Sequence, residues 1–331
     1  MKTTLTAVLL AGAILSLPVI NAQAQTASYQ LCNASGCHAG GSTNVTSTYA
    51  QTLYPVVLAH GTAGWNSIAG FDYWYGISPD LIQNGASVFE TSVAAFDSSY
   101  VRGEQLRNQV QQIMAITGSA KVNLIGHSQG SLDVRYVAGV MPAQIASVTT
   151  IAGPHKGSPV ADQIQGVLSS PIGPVLAPLL AGGINAFFTL FGLASGQNYH
   201  QDALAVLGPL TTSGASAFSA DFPAGVPTTA CGQGAAVVNG VHYYSWSGIG
   251  KLTTLIDPTD APLLATGLLI PGASDGLVPQ CSSHLGQVIR DDYPQNHLDE
   301  VNQIAGLTQL FATSPVTIYR QHLSRLKLAG L

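Results

Sequence analysis

Charge is scarce in this 331-residue sequence: Asp, Glu, Lys and Arg make up 8% of it, against about 25% in an ordinary globular chain. Between Asp162 and Asp202 there is no charged residue at all. The formal net charge is −5, and no cluster of Lys and Arg is present to neutralise phosphates, which excludes nucleic acid as a partner. A hydrophobic content of 46% excludes intrinsic disorder. A folded chain this poor in charge exposes neutral polar and apolar surface, or works beside something apolar. Apolar runs long enough to cross a bilayer, which needs roughly 20 residues, are also missing. The most apolar passage after the N-terminus, PVLAPLLAGGINAFFTLFGLA, is interrupted by Pro174, Pro178, Gly182 and Gly183. Cysteine is limited to four residues: Cys32, Cys37, Cys231 and Cys281.

The N-terminus reads as an export signal. Lys2 is a minimal positive region, Leu5 to Leu15 form a short apolar segment, and Ala22-Gln23-Ala24 offers a small-x-small cleavage site. Cleavage after Ala24 would leave a secreted chain of net charge −6. The competing reading, a membrane anchor, needs a longer apolar segment. Export places an even number of cysteines in an oxidising compartment, so disulfides are expected. Three pairings exist. Cys32 with Cys37 would close a small loop, and Cys231 with Cys281 would tie two distant loops together. A metal site at Cys32, Cys37 and His38 lacks a second half-site of zinc type.

Tyr54 to Ala59, Lys121 to Ile125 and Ile145 to Ile151 are short apolar runs that read as buried strands. Val101 to Thr117, stopped by Gly118, and Leu132 to Val140 read as the helices between them. This alternation implies a mostly parallel central sheet covered by helices on both faces. Leu263 to Ile270 reads as a further strand. Leu298 to Leu307 and Pro315 to Leu326 carry helical periodicity, and Asn239-Gly240 marks a hairpin. The uncharged stretch is read as a helical cap inserted at about 159–227 of a single domain spanning 47–331. Its apolar core is either a buried helix or a mobile flap over the active site. Residues 25–46 form an N-terminal extension without a repeat or a motif.

Gly126-His127-Ser128-Gln129-Gly130 matches the G-x-S-x-G nucleophile elbow, a weak signal alone in a chain with 36 glycines. A second match, Gly272-Ala273-Ser274-Asp275-Gly276, makes the point. Context separates them. The first follows the strand KVNLI and opens the helix LDVRYVAGV, which puts Ser128 at a helix N-terminus where N–H groups converge. The second is followed by Leu277-Val278-Pro279 and opens no helix. Strand, elbow, helix and cap together predict the α/β-hydrolase fold, whose chain order is Ser, acid, His.

A serine hydroxyl needs a base to take its proton. Of nine histidines, His297 in the loop Pro294-Gln295-Asn296-His297 is the expected base, with His284 as the alternative. His60, His127 and His155 are read as structural neighbours. Asp275 is the expected acid, ahead of Asp257 and Glu300. The backbone N–H groups of Gln129, after the nucleophile, and Thr62, in His60-Gly61-Thr62, are the expected oxyanion donors.

The motifs YPVVLAHG, FDYWYGI, VRGEQL, KVNLIGHSQG, AGPHKGS, YYSWSG, DGLVPQCSSHLG, NHLDEVNQ and SPVTIYRQHLSRLK together resemble the bacterial triacylglycerol lipases of the Pseudomonas and Burkholderia type, from about Ser47 to the end. The resemblance implies a triad of Ser128, Asp275 and His297, oxyanion donors at Thr62 and Gln129, and a disulfide Cys231–Cys281. It implies one structural calcium ion, held by the side chains of Asp257 and Asp299 and the backbone carbonyls of Gln303 and Leu307, and a lid within roughly Pro171 to Ala194. Calcium prefers such hard oxygen ligands, and an ion gripping Asp299 would fix the histidine loop two residues away. The implied partners are the lipid/water interface, an acylglycerol substrate and a dedicated membrane-anchored lipase foldase, for a protein expected to be a monomer.

Three features depart from that pattern. Thr62 stands where a bulky apolar residue is usual, Ser131-Leu132-Asp133 replaces small residues and brings a charge near the site, and the segment with Cys32 and Cys37 extends ahead of the usual start. The expected function is secreted triacylglycerol lipase acting through an acyl-enzyme. The alternatives are a carboxylesterase for short soluble esters and a non-catalytic lipid-binding protein.

Overall fold

The computed structural model describes residues 25–68, 71–175, 199–254 and 256–331. The expected export signal at 1–24 and most of the expected lid, 176–194 of 171–194, lie outside the described residues. Nine strands form one sheet: β1 (Thr26–Asn33), β2 (Gly36–Asn44), β3 (Val56–Ala59), β4 (Val88–Thr91), β5 (Val122–His127), β6 (Ile145–Ile151), β7 (Val237–Val238), β8 (Val241–Gly248) and β9 (Gln287–Tyr293). Their order is β9-β8-β6-β5-β3-β4-β1-β2, with β7 paired to β8. Every pairing is parallel except β1/β2 and β7/β8.

Central strands buried on both faces need apolar residues throughout, and β3 shows the period-two division. Val56 and Leu58 enter one core with α1 (Ile77–Gln83) and the C-terminal helix α8 (Pro315–Leu328); Val57 and Ala59 enter the other with α2 (Ser99–Thr117) and α3 (Gly130–Val140). In the first core Trp74 and Trp246 meet Tyr319 edge-on. The helix ends follow local chemistry: Gly118 closes α2 at φ 65°, and Pro315 opens α8, which ends with Arg325 and Lys327 in its last turn. The expected hairpin forms, with Asn239 at φ 52° and Gly240 at φ 78°.

The N-terminal extension is part of the sheet. β1 lies parallel to β4 through Gln30↔Phe89 and Leu31↔Glu90, and the β1–β2 hairpin is closed by a Cys32–Cys37 disulfide between register partners. Between β6 and β7 the described residues of the cap include three helices, α4 (Pro159–Leu168), α5 (Leu207–Leu210) and α6 (Thr212–Asp221). Among the described residues no helix is long and apolar enough to cross a membrane.

Two expectations are corrected. Leu263 to Ile270 is not a strand; the helix α7 (Asp260–Gly267) occupies this region. A short apolar run does not distinguish strand from buried helix, and Asp260 and Pro262 in the first turn decide for helix. Leu298 to Leu307 is not a helix either. One 3₁₀ turn, Asp299–Val301, stops where Asn302 turns to φ 58°, held there by Nδ2 donating to Tyr75 O at 2.8 Å. Ala305 (φ 48°) and Gly306 (φ 80°) then keep the loop open.

Candidate active site

β5 ends at His127, and Ser128 turns to φ 55° before α3 begins. A serine in the left-handed region is strained, and the surroundings hold it there. Ser128 N–H donates to Ile151 O at 2.9 Å. Glycine is required on both sides: a Cβ on Gly126 would lie 2.3 Å from Gly130 O, and one on Gly130 would lie 2.4 Å from Ala59 O.

The three expected triad residues meet. Ser128 Oγ lies 2.8 Å from His297 Nε2, and His297 Nδ1 lies 2.7 Å from Asp275 Oδ2. Asp275 is fully buried; its Oδ1 accepts the N–H groups of Leu277 and Val278, and its carbonyl accepts the N–H of His297. His297 follows β9, but Asp275 follows α7 and not a strand as the sequence suggested. Ser274 is fully buried and, among the described residues, its hydroxyl has no partner, so no base stands beside the serine of the second G-x-S-x-G match. His284 faces Asp291 and Gly232 O, away from the serine. Asp257 receives Thr259, and Glu300 accepts the N–H of Gly248. Burial and the neighbouring Asp275 charge hold Glu300 well above the usual carboxylate range.

Among the described residues, neither Thr62 N–H nor Gln129 N–H is paired with a protein acceptor. Their side chains are joined, with Thr62 Oγ1 donating to Gln129 Oε1 at 2.7 Å while Gln129 Nε2 donates to Asp97 O at 2.8 Å. Gly61 brings this loop close to the elbow: a Cβ there would lie 2.7 Å from the Cβ of Ser128.

Sequence reasoning passed over Tyr73. Its hydroxyl accepts the N–H of Gly61 at 2.9 Å and lies 2.6 Å from His127 Nδ1, while His127 Nε2 lies 3.0 Å from His297 O. A carbonyl only accepts, so His127 carries its proton on Nε2 and Tyr73 donates to Nδ1. Burial and the adjacent His297 hold His127 well below the usual histidine range, which keeps it neutral as this arrangement needs. His127, His297 and Glu300 come close enough to suggest a metal cluster, but both ring nitrogens of each histidine are already engaged.

A cavity of about 1130 Å³ opens on Ser128 and His297. Its walls include Phe96, Val160, Ile164, Leu204, Leu207 and Ile304, and among the described residues no Asp, Glu, Lys or Arg lines it. The residues expected to hold calcium lie beside the histidine loop. Asp257 Oδ2 and Asp299 Oδ1 are buried and, among the described residues, lack any hydrogen-bond partner. Burial, with Asp257 and Asp260 as nearby negative charges, pushes Asp299 up to about 7. Among the described residues, the one backbone donor to Gln303 O is the N–H of Ala305. Cys231 and Cys281 form the second disulfide.

Comparison with known proteins agrees with this fold. A family model described as the alpha/beta hydrolase fold matches residues 54–171. A triacylglycerol lipase of Vibrio cholerae is 52% identical over 284 residues, 86% of this chain and 90% of the relative. Triacylglycerol lipases of Burkholderia plantarii (42% identical, 86% of this chain and 88% of the relative) and Pseudomonas fragi (41%, 85% and 98%) are also similar. Among solved structures, Bacillus licheniformis lipase in mature form superposes with a TM-score of 0.54 at 18% identity, covering 80% of this chain and 91% of that one. Lipase 1 from Pelosinus fermentans gives 0.54 at 17%, covering 84% and 99%. By sequence over most of its length, and by fold, the chain belongs to the triacylglycerol lipases of the α/β-hydrolase fold.

Proposed function

We propose that the protein is a secreted triacylglycerol lipase that cleaves acylglycerol esters through a Ser128 acyl-enzyme. One observation carries this reading: the Ser128–His297–Asp275 chain at 2.8 and 2.7 Å stands at the mouth of a cavity that, among the described residues, no Asp, Glu, Lys or Arg lines, beside two amide N–H groups that none of those residues pairs. Ser128 Oγ attacks the ester carbonyl carbon as His297 Nε2 takes its proton. Asp275 keeps Nδ1 protonated and stabilises the imidazolium. The carbonyl electrons move to an oxyanion held by Thr62 and Gln129 N–H, and each such donor is worth about 2.7–4 kcal/mol. Collapse breaks the ester bond, and His297 returns the proton to the departing glycerol oxygen. Water then repeats the sequence on the acyl-serine, giving a fatty acid and free Ser128.

The cavity supports this substrate class: about 1130 Å³ of mostly apolar-walled space suits a long acyl chain, and among the described residues no Lys, Arg, Asp or Glu in it could pair with a charged headgroup. Exposed Ile164, Val167, Ile172 and Val175 on the cap give an apolar rim suited to a lipid/water interface. Calcium fits the residues present, because two buried carboxylates, each with an orphaned oxygen, are what a hard cation satisfies. Asp257 and Asp299 side chains with the carbonyls of Gln303 and Leu307 would hold it. When bound, it supplies charge neutralisation that pins the histidine loop, while the triad does the chemistry. A membrane-anchored foldase is the proposed assembly partner, and the lipase acts as a monomer.

The test is a rate series on a medium-chain ester across its solubility limit. A jump at emulsification is expected. Smooth saturation below the limit, with no jump, would favour the short-ester reading.

A further inference from the structure

A buried ion pair that the reaction scheme leaves unused holds the loop carrying Thr62. Arg102 in α2 and Asp133 in the first turn of α3 are both fully buried, and Arg102 Nε and Nη2 each lie 2.9 Å from Asp133 Oδ2. The remaining donors gather main-chain carbonyls. Nη2 donates to His60 O (2.7 Å) and Gly61 O (3.3 Å), the two residues ahead of Thr62. Nη1 donates to Ala94 O (2.7 Å) and Ala95 O (3.3 Å), and Ala95 O also accepts the N–H of Ala63, the residue after Thr62. The guanidinium therefore grips the Thr62 loop from both sides. Asp133 belongs to the other half of the site, because its N–H donates to Gln129 O at 3.2 Å.

We propose that Asp133 is a positioning residue for the oxyanion hole, fixing the plane of Arg102 and so setting the Thr62 amide against the Gln129 amide. This rests on the triad and oxyanion assignment above. A guanidinium is a rigid planar fork, so the carboxylate that takes one edge decides where the other donors point. Asp133 takes the Nε edge, leaving Nη1 and the outer side of Nη2 for the carbonyls. Without that charge the fork loses its only ionic tie to the nucleophile helix, and the spacing of the two amides loosens. Misplacement of a reacting group by about 1 Å costs on the order of 100-fold in rate.

The test compares Asp133→Asn and Asp133→Glu with the parent. Active sites are counted by the 4-nitrophenolate burst with an alkyl phosphonate, and kcat and KM per counted site are then measured on a soluble short-chain ester. Affinity for an alkyl boronic acid, which forms a tetrahedral adduct at the serine, is read alongside. In Asp133→Asn, kcat per counted site should fall about 10- to 100-fold, boronate affinity should fall with it, and KM should stay within about twofold. Asp133→Glu, which keeps the charge, should be intermediate. If Asp133→Asn does not fold, Asp133→Glu alone decides, because parental kcat per site in that variant overturns the proposal. So does a loss confined to thermal stability or to the fraction of countable sites. The parent is read first: no burst there refutes the Ser128 assignment, whereas a burst with unchanged variant kcat refutes only the role of Asp133.

Discussion

Replacing Tyr73 by Phe removes one oxygen from the middle of a chain whose every proton is assigned. The ring itself is retained, with its edge contacts to Trp74 and Trp65 at centroid distances of 5.2 and 6.0 Å. Two buried groups lose their partner: the N–H of Gly61 (2.9 Å) and Nδ1 of His127 (2.6 Å). Each unsatisfied buried group costs about 1–3 kcal/mol, so the pair should cost roughly 2–6 kcal/mol. With ~2.1 cal/mol/K per residue over roughly 300 residues, that lowers Tm by about 3–10 °C. A catalytic effect should follow. The His297 carbonyl, 3.0 Å from Nε2, keeps the proton of His127 there, and the Tyr73 hydroxyl holds the ring in place from Nδ1. With Nδ1 unheld, the ring and the histidine loop it supports are less fixed, and kcat should fall more than KM rises. Scanning calorimetry and steady-state kinetics on a soluble ester measure both. A Tyr73→Phe enzyme with parental Tm and parental kcat would refute the hydrogen-bond assignment.

Chelation should destabilise the protein: a ligand at about 100 times its Kd contributes ~2.7 kcal/mol, so chelator should lower Tm by about 4 °C, calcium but not magnesium should restore it, and Asp257→Asn should abolish the response. Removing the Cys231–Cys281 bond, which spans 50 residues, should cost about 4 kcal/mol, and removing Cys32–Cys37 about 2; urea midpoints of the two double serine variants check the order. Burial, with Arg325 adding to it, lowers His322 to about 3. Between pH 6.5 and about 3 the unfolded chain therefore binds this proton and the folded one does not, so stability falls as pH falls. His322→Gln should flatten that slope by about 1.4 kcal/mol per pH unit, read from urea unfolding at pH 6, 5 and 4.

Much of the site was legible because its chemistry is local. The elbow needs glycines at 126 and 130 for want of space, a strand before and a helix after, and each of these is written in neighbouring residues. The hairpin at Asn239-Gly240 is local in the same way. What escaped depends on partners far along the chain. Asp133 looked like a stray charge because its counter-ion, Arg102, lies 31 residues earlier on another helix. Tyr73 joins residues 12 and 54 positions away. The loop after His297 carries a helical pattern, yet the bond from Asn302 to Tyr75, 227 positions distant, overrides it. Leu263 to Ile270 failed for a different reason: its apolar run fits a strand or a buried helix equally, and the acidic and proline residues just ahead of it were the deciding signal.

The central claim is that one hydroxyl of this chain, that of Ser128, is activated by His297. Incubation with a 4-nitrophenyl alkyl phosphonate, followed by peptide mass mapping, tests it directly. The account predicts one equivalent of 4-nitrophenolate, one phosphonylated peptide carrying the mark on Ser128, and no burst from Ser128→Ala. A mark on Ser274 or any other serine, or a Ser128→Ala variant that still gives a burst, would contradict it.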